Sequence, residues 1–289
     1  MKTWLLLLPL IFAITTSFAQ QLEAFQDNGK FGIKESSTGK ILVPAKYDEI
    51  YTYSEGLAMV NLGGKYGYID KKGKEVIAPK YVEANIFSEG LAAVGDSDEW
   101  GFIDKTGTEV IPLKYQEVNS FSEGLAVVIA DDHAGFIDKT GKTVIPLQYD
   151  YATPFSQGLA TVEKDGMSGI IDQRGNLVVP MKYLEIGDFS EGLAPVNKDN
   201  KWGYINRQGE EVIQPEYDYT FPFSEGLAGV VINDKGGYID YTGNIVIPMI
   251  FDKPGIFSHG FCFVEMNGKQ FYIDKNGNCV EHEGLTCPK

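Results

Sequence analysis

The chain has 289 residues, 43% hydrophobic and 12% aromatic, with 25 Lys+Arg against 40 Asp+Glu for a net charge of −15. That is enough apolar material for a packed core and is not the composition of a disordered chain. So acidic a chain is a poor partner for nucleic acid or an anionic lipid surface, whereas cationic partners and divalent metal stay open.

The first stretch, MKTWLLLLPLIFAITTSFAQQ, stands apart from the rest. One early Lys2, an apolar run from Trp4 to about Ile14 and small residues closing on Ser17-Phe18-Ala19 are the layout of a secretory signal peptide, residues 1–19. The apolar run falls short of the ~20 residues that a membrane span needs. The expectation is an exported protein, periplasmic or secreted, with no membrane span in the mature chain. Position 20 is Gln, which offers no thiol for acylation, and loss of Lys2 leaves 24 basic against 40 acidic residues, a net −16.

Residues 20–283 read as one array. FSEGLA occurs at 87–92, 121–126, 189–194 and 223–228, with close variants at 53–58, 155–160 and 257–262, always 34 residues apart. Gly67, Gly101, Gly135, Gly169, Gly203 and Gly237 keep the same step, and Phe271 takes that slot in the last unit. A partial unit from about residue 29, one residue out of step at Phe31-Gly32, precedes seven complete units. A tail, 284–289, follows.

Within the unit at 189–223, Leu193–Val196 predicts a first strand, Asn197–Asn200 a polar turn and Trp202–Asn206 a second strand. A D-x-x-G turn comes next: Asp70/Gly73, Asp104/Gly107, Asp138/Gly141, Asp172/Gly175, Asp240/Gly243 and Asp274/Gly277, with Asn206/Gly209 as the variant. Asp at the first position of a type I turn bonds the backbone ahead of it, and Gly at the fourth accepts positive φ. A third strand such as Glu109–Ile111 is expected to stop at the following proline (Pro112, Pro146, Pro180, Pro215 or Pro248), which has no N–H for the ladder. A loop then carries Tyr47, Tyr81, Tyr115, Tyr149, Tyr183, Tyr217 or Phe251 to the next FSEGLA.

Alternation by two prevails and nothing has a helical period. The expected fold is all-β: tandem 34-residue three-stranded antiparallel meanders, each too small to stand alone, stacked as an elongated or superhelical array. A closed propeller-like ring is the alternative. FSEGLA reads as a structural joint, with Phe and Leu in the core, Gly at a sharp turn, Ala where strands pack closely, and Ser and Glu exposed.

The units resemble the WG repeat (also called KWG repeat) family. Lys201-Trp202-Gly203-Tyr204-Ile205, the turn Gly that follows, the V-I-P of the third strand and F-S-E-G-L-A carry the resemblance, which covers nearly the whole mature chain. The Trp slot departs from the pattern, holding Phe31, Tyr66, Trp100, Ala134, Ser168, Trp202, Gly236 and Gln270. The resemblance implies an exported or envelope-associated bacterial β-repeat protein, and it implies no enzyme activity.

Catalytic motifs are missing from the sequence: no H-E-x-x-H, no G-x-S-x-G, no phosphate-cradling Gly-rich loop and no paired C-x-x-C. His133, His259 and His282 fall at different repeat positions, and each D-x-x-G turn offers one carboxylate rather than a calcium-loop cluster. No enzyme, cofactor or metal is therefore expected. Cys279 and Cys287 can close a small loop in an oxidising compartment, and Cys262 occupies the Ala position of the last joint as a buried thiol.

The candidate binding feature is the residue before the repeated isoleucine of the second strand. Ile69 to Ile273 define one face, and Tyr68, Phe102, Phe136, Ile170, Tyr204, Tyr238 and Tyr272 the other. Buried between stacked units, these rings are core. On a solvated face, Tyr68, Phe102, Phe136, Tyr204, Tyr238 and Tyr272 form a ladder for sugar rings. The functional expectation is an exported non-catalytic scaffold that binds a protein partner in the envelope or outside the cell. The alternative is a cell-wall or polysaccharide-binding module using the ladder.

Overall fold

The computed structural model describes residues 22–288, so the signal peptide expected at 1–19 lies outside the described residues. Every element among the described residues is a β-strand, set in successive antiparallel sheets that follow the 34-residue step. The expected all-β tandem repeat is what the chain forms.

Each complete sheet has one strand more than the expected meander. In the set at 185–217 the order is Glu185–Ile186, Leu193–Lys198, Lys201–Asn206 and Glu211–Tyr217. The short strand pairs Ile186 with Val196 from within the segment that sequence reasoning assigns to a loop. The sheets at the two ends have three strands. At the start, Leu22–Asp27 pairs with Lys30–Glu35, so the first sheet begins ahead of residue 29.

The third strand does not stop at proline. It runs on to the tyrosine, as in Glu75–Tyr81 and Glu211–Tyr217. Two properties allow this. The strand lies at the sheet margin, where a missing N–H breaks no ladder. It also bulges: Tyr204 opposes Ile213 while Trp202 opposes Tyr217, so two residues on one strand span four on the other.

That bulge explains the repeated glycine. A Cβ on Gly67 would meet the Ile77 carbonyl and Pro79 N at 2.5 Å and Ala78 C at 2.8 Å, all rigid backbone. The last unit has only the two-residue strand Cys279–Val280 in this place and no bulge. There the slot is free for Phe271, which is buried and packs 6.4 Å from Phe251.

Among the described residues the contacts divide the chain into one unit of 22–97 with Ile103–Thr108 and a second of Asp98–Phe102 with 109–288. The first is centred on Ile33, Val43, Tyr47, Ala58, Val60 and Ile69. In the second, clusters link each sheet to the next, for example Phe136, Ile145 and Tyr149 with Phe155, Val162 and Ile171. Cys279 and Cys287 are disulfide-bonded across eight residues, and Cys262 is a buried free thiol 3.0 Å from the Tyr238 hydroxyl.

Candidate functional site

FSEGLA forms a two-residue hairpin turn. Ser190 and Leu193 exchange backbone hydrogen bonds, while Glu191 (φ 52) and Gly192 (φ 89) both have positive φ, as a type I′ turn requires. Glutamate is a costly choice in the left-handed region. The reason for it lies 34 residues away, in the next repeat. The Glu191 carboxylate accepts the N–H of Glu225 at 2.8 Å and of Gly226 at 2.9 Å, and the Ser190 hydroxyl donates to the Phe223 carbonyl at 2.7 Å. This joint thus grips the following one.

The same clasp recurs with Ser54, Ser122 and Ser224 on Phe87, Phe155 and Phe257, and with Glu55, Glu123 and Glu225 on Gly90, Gly158 and Gly260. A residue 50 positions further on braces the carboxylate from outside: Lys105 lies 3.0 Å from Glu55, Tyr241 2.9 Å from Glu191 and Lys275 3.2 Å from Glu225.

These bonds set the titration of the glutamates. The Lys105 and Lys275 ammoniums hold Glu55 and Glu225 below the usual carboxylate range. For Glu191, burial pushes up, and the Gly226 amide, the Tyr241 hydroxyl and the Glu225 amide outweigh it, so the net direction is also down. In the D-x-x-G turns, Asp138 Oδ1 accepts the Thr140 hydroxyl and the N–H groups of Thr140 and Lys142, with the same downward direction. The corresponding caps lower Asp104, Asp172, Asp240 and Asp274. Groups with depressed folded pKa values stabilise the fold above the unfolded carboxylate range, near pH 4, and lose that contribution as pH falls through their folded values. The clasps of Glu55, Glu191 and Glu225 therefore weaken in acid.

The predicted aromatic ladder is core. Tyr68, Phe102, Phe136, Tyr204 and Tyr238 are fully buried, which leaves no ring face for a sugar, and Tyr272 alone is partly exposed. Stacked neighbours cover this face of the second strand just as they cover the isoleucine face. The rings meet the phenylalanine of the next joint edge-on, with centroids 4.8 Å apart for Tyr68–Phe87 and Phe102–Phe121 and 4.9 Å for Tyr204–Phe223. Tyr68 and Tyr204 donate their hydroxyls to the Asn85 and Phe221 carbonyls at 2.7 Å.

The D-x-x-G residues close tight turns, and their glycines also meet the neighbouring sheet. Asp70, Asp104, Asp138, Asp172, Asp240 and Asp274 each accept backbone N–H groups two and four residues ahead. Gly73, Gly107, Gly141, Gly175, Gly243 and Gly277 take φ of 80–85° and donate their N–H groups to the carbonyls of those aspartates at 2.9–3.0 Å. Sequence reasoning gives these glycines to the turn alone, but each also abuts the sheet before it. A Cβ on Gly73 would lie 2.5 Å from Val43 Cγ2. On Gly107, Gly141, Gly175, Gly243 and Gly277 it would come within 3.0–3.5 Å of Ile77, Ile111, Ile145, Ile213 and Ile247 respectively. The variant Gly209 stands likewise, 3.0 Å from Val179 Cγ2. A side chain at Gly73 would press into the sheet before it as well as strain the turn, whereas at Gly175 and Gly243 the approach of 3.4–3.5 Å is ordinary contact and the positive φ is the constraint.

Two surface features remain. On the marginal third strand, Val76, Val110, Val144, Val212 and Val246 occupy one repeat position and are 36–44% exposed. Val110, Val144, Val212 and Val246 fall in the second unit, where Val178 and Val280 hold the remaining places half-buried. Each exposed valine is the V of V-I-P or of its variants V-I-A-P and V-I-Q-P, and in the sequence it looks like core.

The second feature is the joint between 155–160 and 189–194, which is not clasped. Among the described residues, no hydrogen bond links Ser156 or Gln157 to Phe189, Glu191 or Gly192. Ile170 stands in the ring slot, Gln157 replaces the glutamate, and Phe189 is only half-buried where Phe87, Phe121, Phe155, Phe223 and Phe257 are buried. A cavity of about 380 Å³ results, lined by Thr153, Ser156, Gln157, Thr161, Asp188 and Arg207 over a floor that includes Leu159, Ile170 and Phe189. A second hollow of about 310 Å³ adjoins it where Ser168 fills the Trp slot. Among the described residues no group of three or more His, Cys, Asp or Glu could hold a metal ion, and no helix is long and apolar enough to cross a membrane.

The WG containing repeat model matches residues 36–66, 66–95, 100–132, 135–167, 169–202, 202–235 and 237–269. The chain belongs to the WG-repeat family. No curated protein matches it. Among solved structures, the WG-repeat chain is similar to the crystal structure of a eukaryotic initiation factor, at 14% identity and TM-score 0.53, over 91% of this chain and 84% of that one. Kluyveromyces lactis Hsv2p aligns at 11% identity and TM-score 0.42, over 76% of this chain and 89% of its own. At such identities the first likeness is one of fold alone. The WG signature is accounted for by the geometry above: its glycine lies under the third-strand bulge, and its Trp slot faces the short strand, as where Trp202 meets Tyr219 with centroids 6.0 Å apart.

Proposed function

We propose that this WG-repeat protein is an exported, non-catalytic scaffold in the cell envelope, and that it binds a protein partner through the margins of its sheets. The observation that carries this is the valine row. Exposed apolar residues scattered singly need no explanation, but these recur at one position of the repeat. Ile41, Leu177 and Ile245 lie one residue before that position and are more exposed still. A partner that presents apolar side chains to this strand gains from each copy it engages. The proline and bulge keep the same margin from adding strands of another copy, so side chains rather than backbone would make the contact. The leader expected at 1–19 supports export, and mature protein beginning at Gln20 is its signature.

The test is capture from an envelope extract by the wild-type chain and by the triple variant Val110→Lys, Val144→Lys, Val212→Lys. All three sites are exposed, so the circular dichroism spectrum should not change. The reading expects a defined protein that the wild type retains and the variant loses. Identical capture by both would refute it.

A further inference from the structure

The open joint is a departure in which several residues change together. Elsewhere a glutamate of one repeat accepts the turn amides of the next, and the residue 50 positions on braces it: Lys105 for Glu55, Tyr241 for Glu191 and Lys275 for Glu225. Here the acceptor is the neutral amide of Gln157, and the brace is Arg207, which donates to Gln157 Oε1. Arg207 also stacks over the Phe189 ring, 4.8 Å from its centroid. Among the described residues no carboxylate lies within ion-pair distance of it. Its guanidinium is thus held in place by an amide and a ring while its charge is unanswered, at the lining of a cavity of about 380 Å³.

The rest of the lining narrows the ligand. Ser156, whose counterparts Ser122 and Ser190 donate to a carbonyl of the next repeat, has no such acceptor and is exposed. Thr161 and Asp188 add a hydroxyl and a hydroxyl-accepting carboxylate, while Leu159 and Ile170 supply an apolar floor for C–H groups. Hydroxyl partners beside an apolar floor suit a sugar ring, and the unanswered guanidinium suits one carboxylate, which it can take bidentately. The negative charge of Asp188 disfavours a multiply charged anion. A volume of about 380 Å³ admits a single pyranose.

We propose that this cavity binds one acidic sugar residue, a uronate-type pyranose, with Arg207 on its carboxylate and Ser156, Thr161 and Asp188 on its hydroxyls. The site is separate from the buried aromatic ladder, and it does not depend on the protein-scaffold reading.

The experiment is calorimetric titration of the full mature chain with glucuronate, glucose and acetate. Glucuronate is expected to bind at least tenfold more tightly than either of the others. Arg207→Gln, on an exposed turn, should weaken it by about tenfold or more. Gln157→Glu restores the clasp acceptor and neutralises Arg207, so it should abolish binding and raise Tm by a few degrees. That second variant gains stability, which separates loss of the site from loss of the fold. No glucuronate binding to the folded wild type overturns the proposal, as does wild-type affinity in Gln157→Glu. Acetate binding as tightly as glucuronate overturns the sugar assignment, and equal binding of glucose overturns the role of Arg207.

Discussion

Tyr204→Ala is expected to cost the fold about 3–5 kcal/mol, the range for removing a fully buried aromatic side chain. The Tyr204 ring has no exposure, meets Phe223 edge-on at 4.9 Å and donates its hydroxyl to the Phe221 carbonyl at 2.7 Å. Alanine leaves a cavity between two repeats as well as a carbonyl without its donor. Tyr204→Phe keeps the ring and loses only the hydrogen bond, so about 1 kcal/mol is expected there. Urea unfolding of the two variants checks both figures. A Tyr204→Ala protein within about 0.5 kcal/mol of wild type would mean that the ring is on the surface, as surface substitutions usually fall in that range.

Gly203→Ala should cost about 3 kcal/mol, the upper end for overpacking, although it adds one methyl group. A Cβ there would sit 2.6 Å from Pro215 N and 2.7 Å from Gln214 C, against the Ile213 carbonyl as well. None of these atoms can move without undoing the bulge. The contrast is with Gly90, whose added Cβ meets nothing within 4 Å and whose φ of 91° is its only constraint. Thermal melts of Gly203→Ala, compared with wild type, check the prediction. A shift of less than about 1 °C would show that the third strand does not bulge over this glycine.

What can be read from the sequence is the chemistry that closes within a few residues. Asp138 bonds the amides of Thr140 and Lys142, so the D-x-x-G turn is visible in four letters. The contact of Gly141 with Ile111 is not, because it joins residues 30 positions apart in different sheets. The 34-residue step is visible because each repeat must fit the next. The ladder is harder. Strand alternation says that Tyr204 and Ile205 face opposite ways, and it does not say whether one side is wet. Here stacking covers both. The fourth strand, Glu185–Ile186, is two residues long and has no period to detect. Proline reads as a stop because it lacks an N–H, which does not hold at a margin with a bulge. A signal for that bulge is present: Phe271 takes the glycine slot in the one unit whose third strand is cut to Cys279–Val280. The open joint is also written in single letters, at Gln157, Ile170 and Arg207. Their connection depends on contacts up to 50 residues apart, which repeat alignment alone does not reveal.

The joint motif clasps the next repeat, and one joint in the second unit is open. Amide hydrogen exchange at three equivalent glycines tests it most directly. Gly158 and Gly226 donate to the carboxylates of Glu123 at 2.8 Å and Glu191 at 2.9 Å, and Gly192 has no acceptor among the described residues. At neutral pH, Gly158 and Gly226 should exchange at least tenfold more slowly than Gly192, each rate taken relative to the unstructured peptide. The Gly226 difference should narrow below about pH 4, as Glu191 takes up its proton. Equal protection at all three glycines, unchanged by acid, would show that the glutamates do not clasp the next repeat.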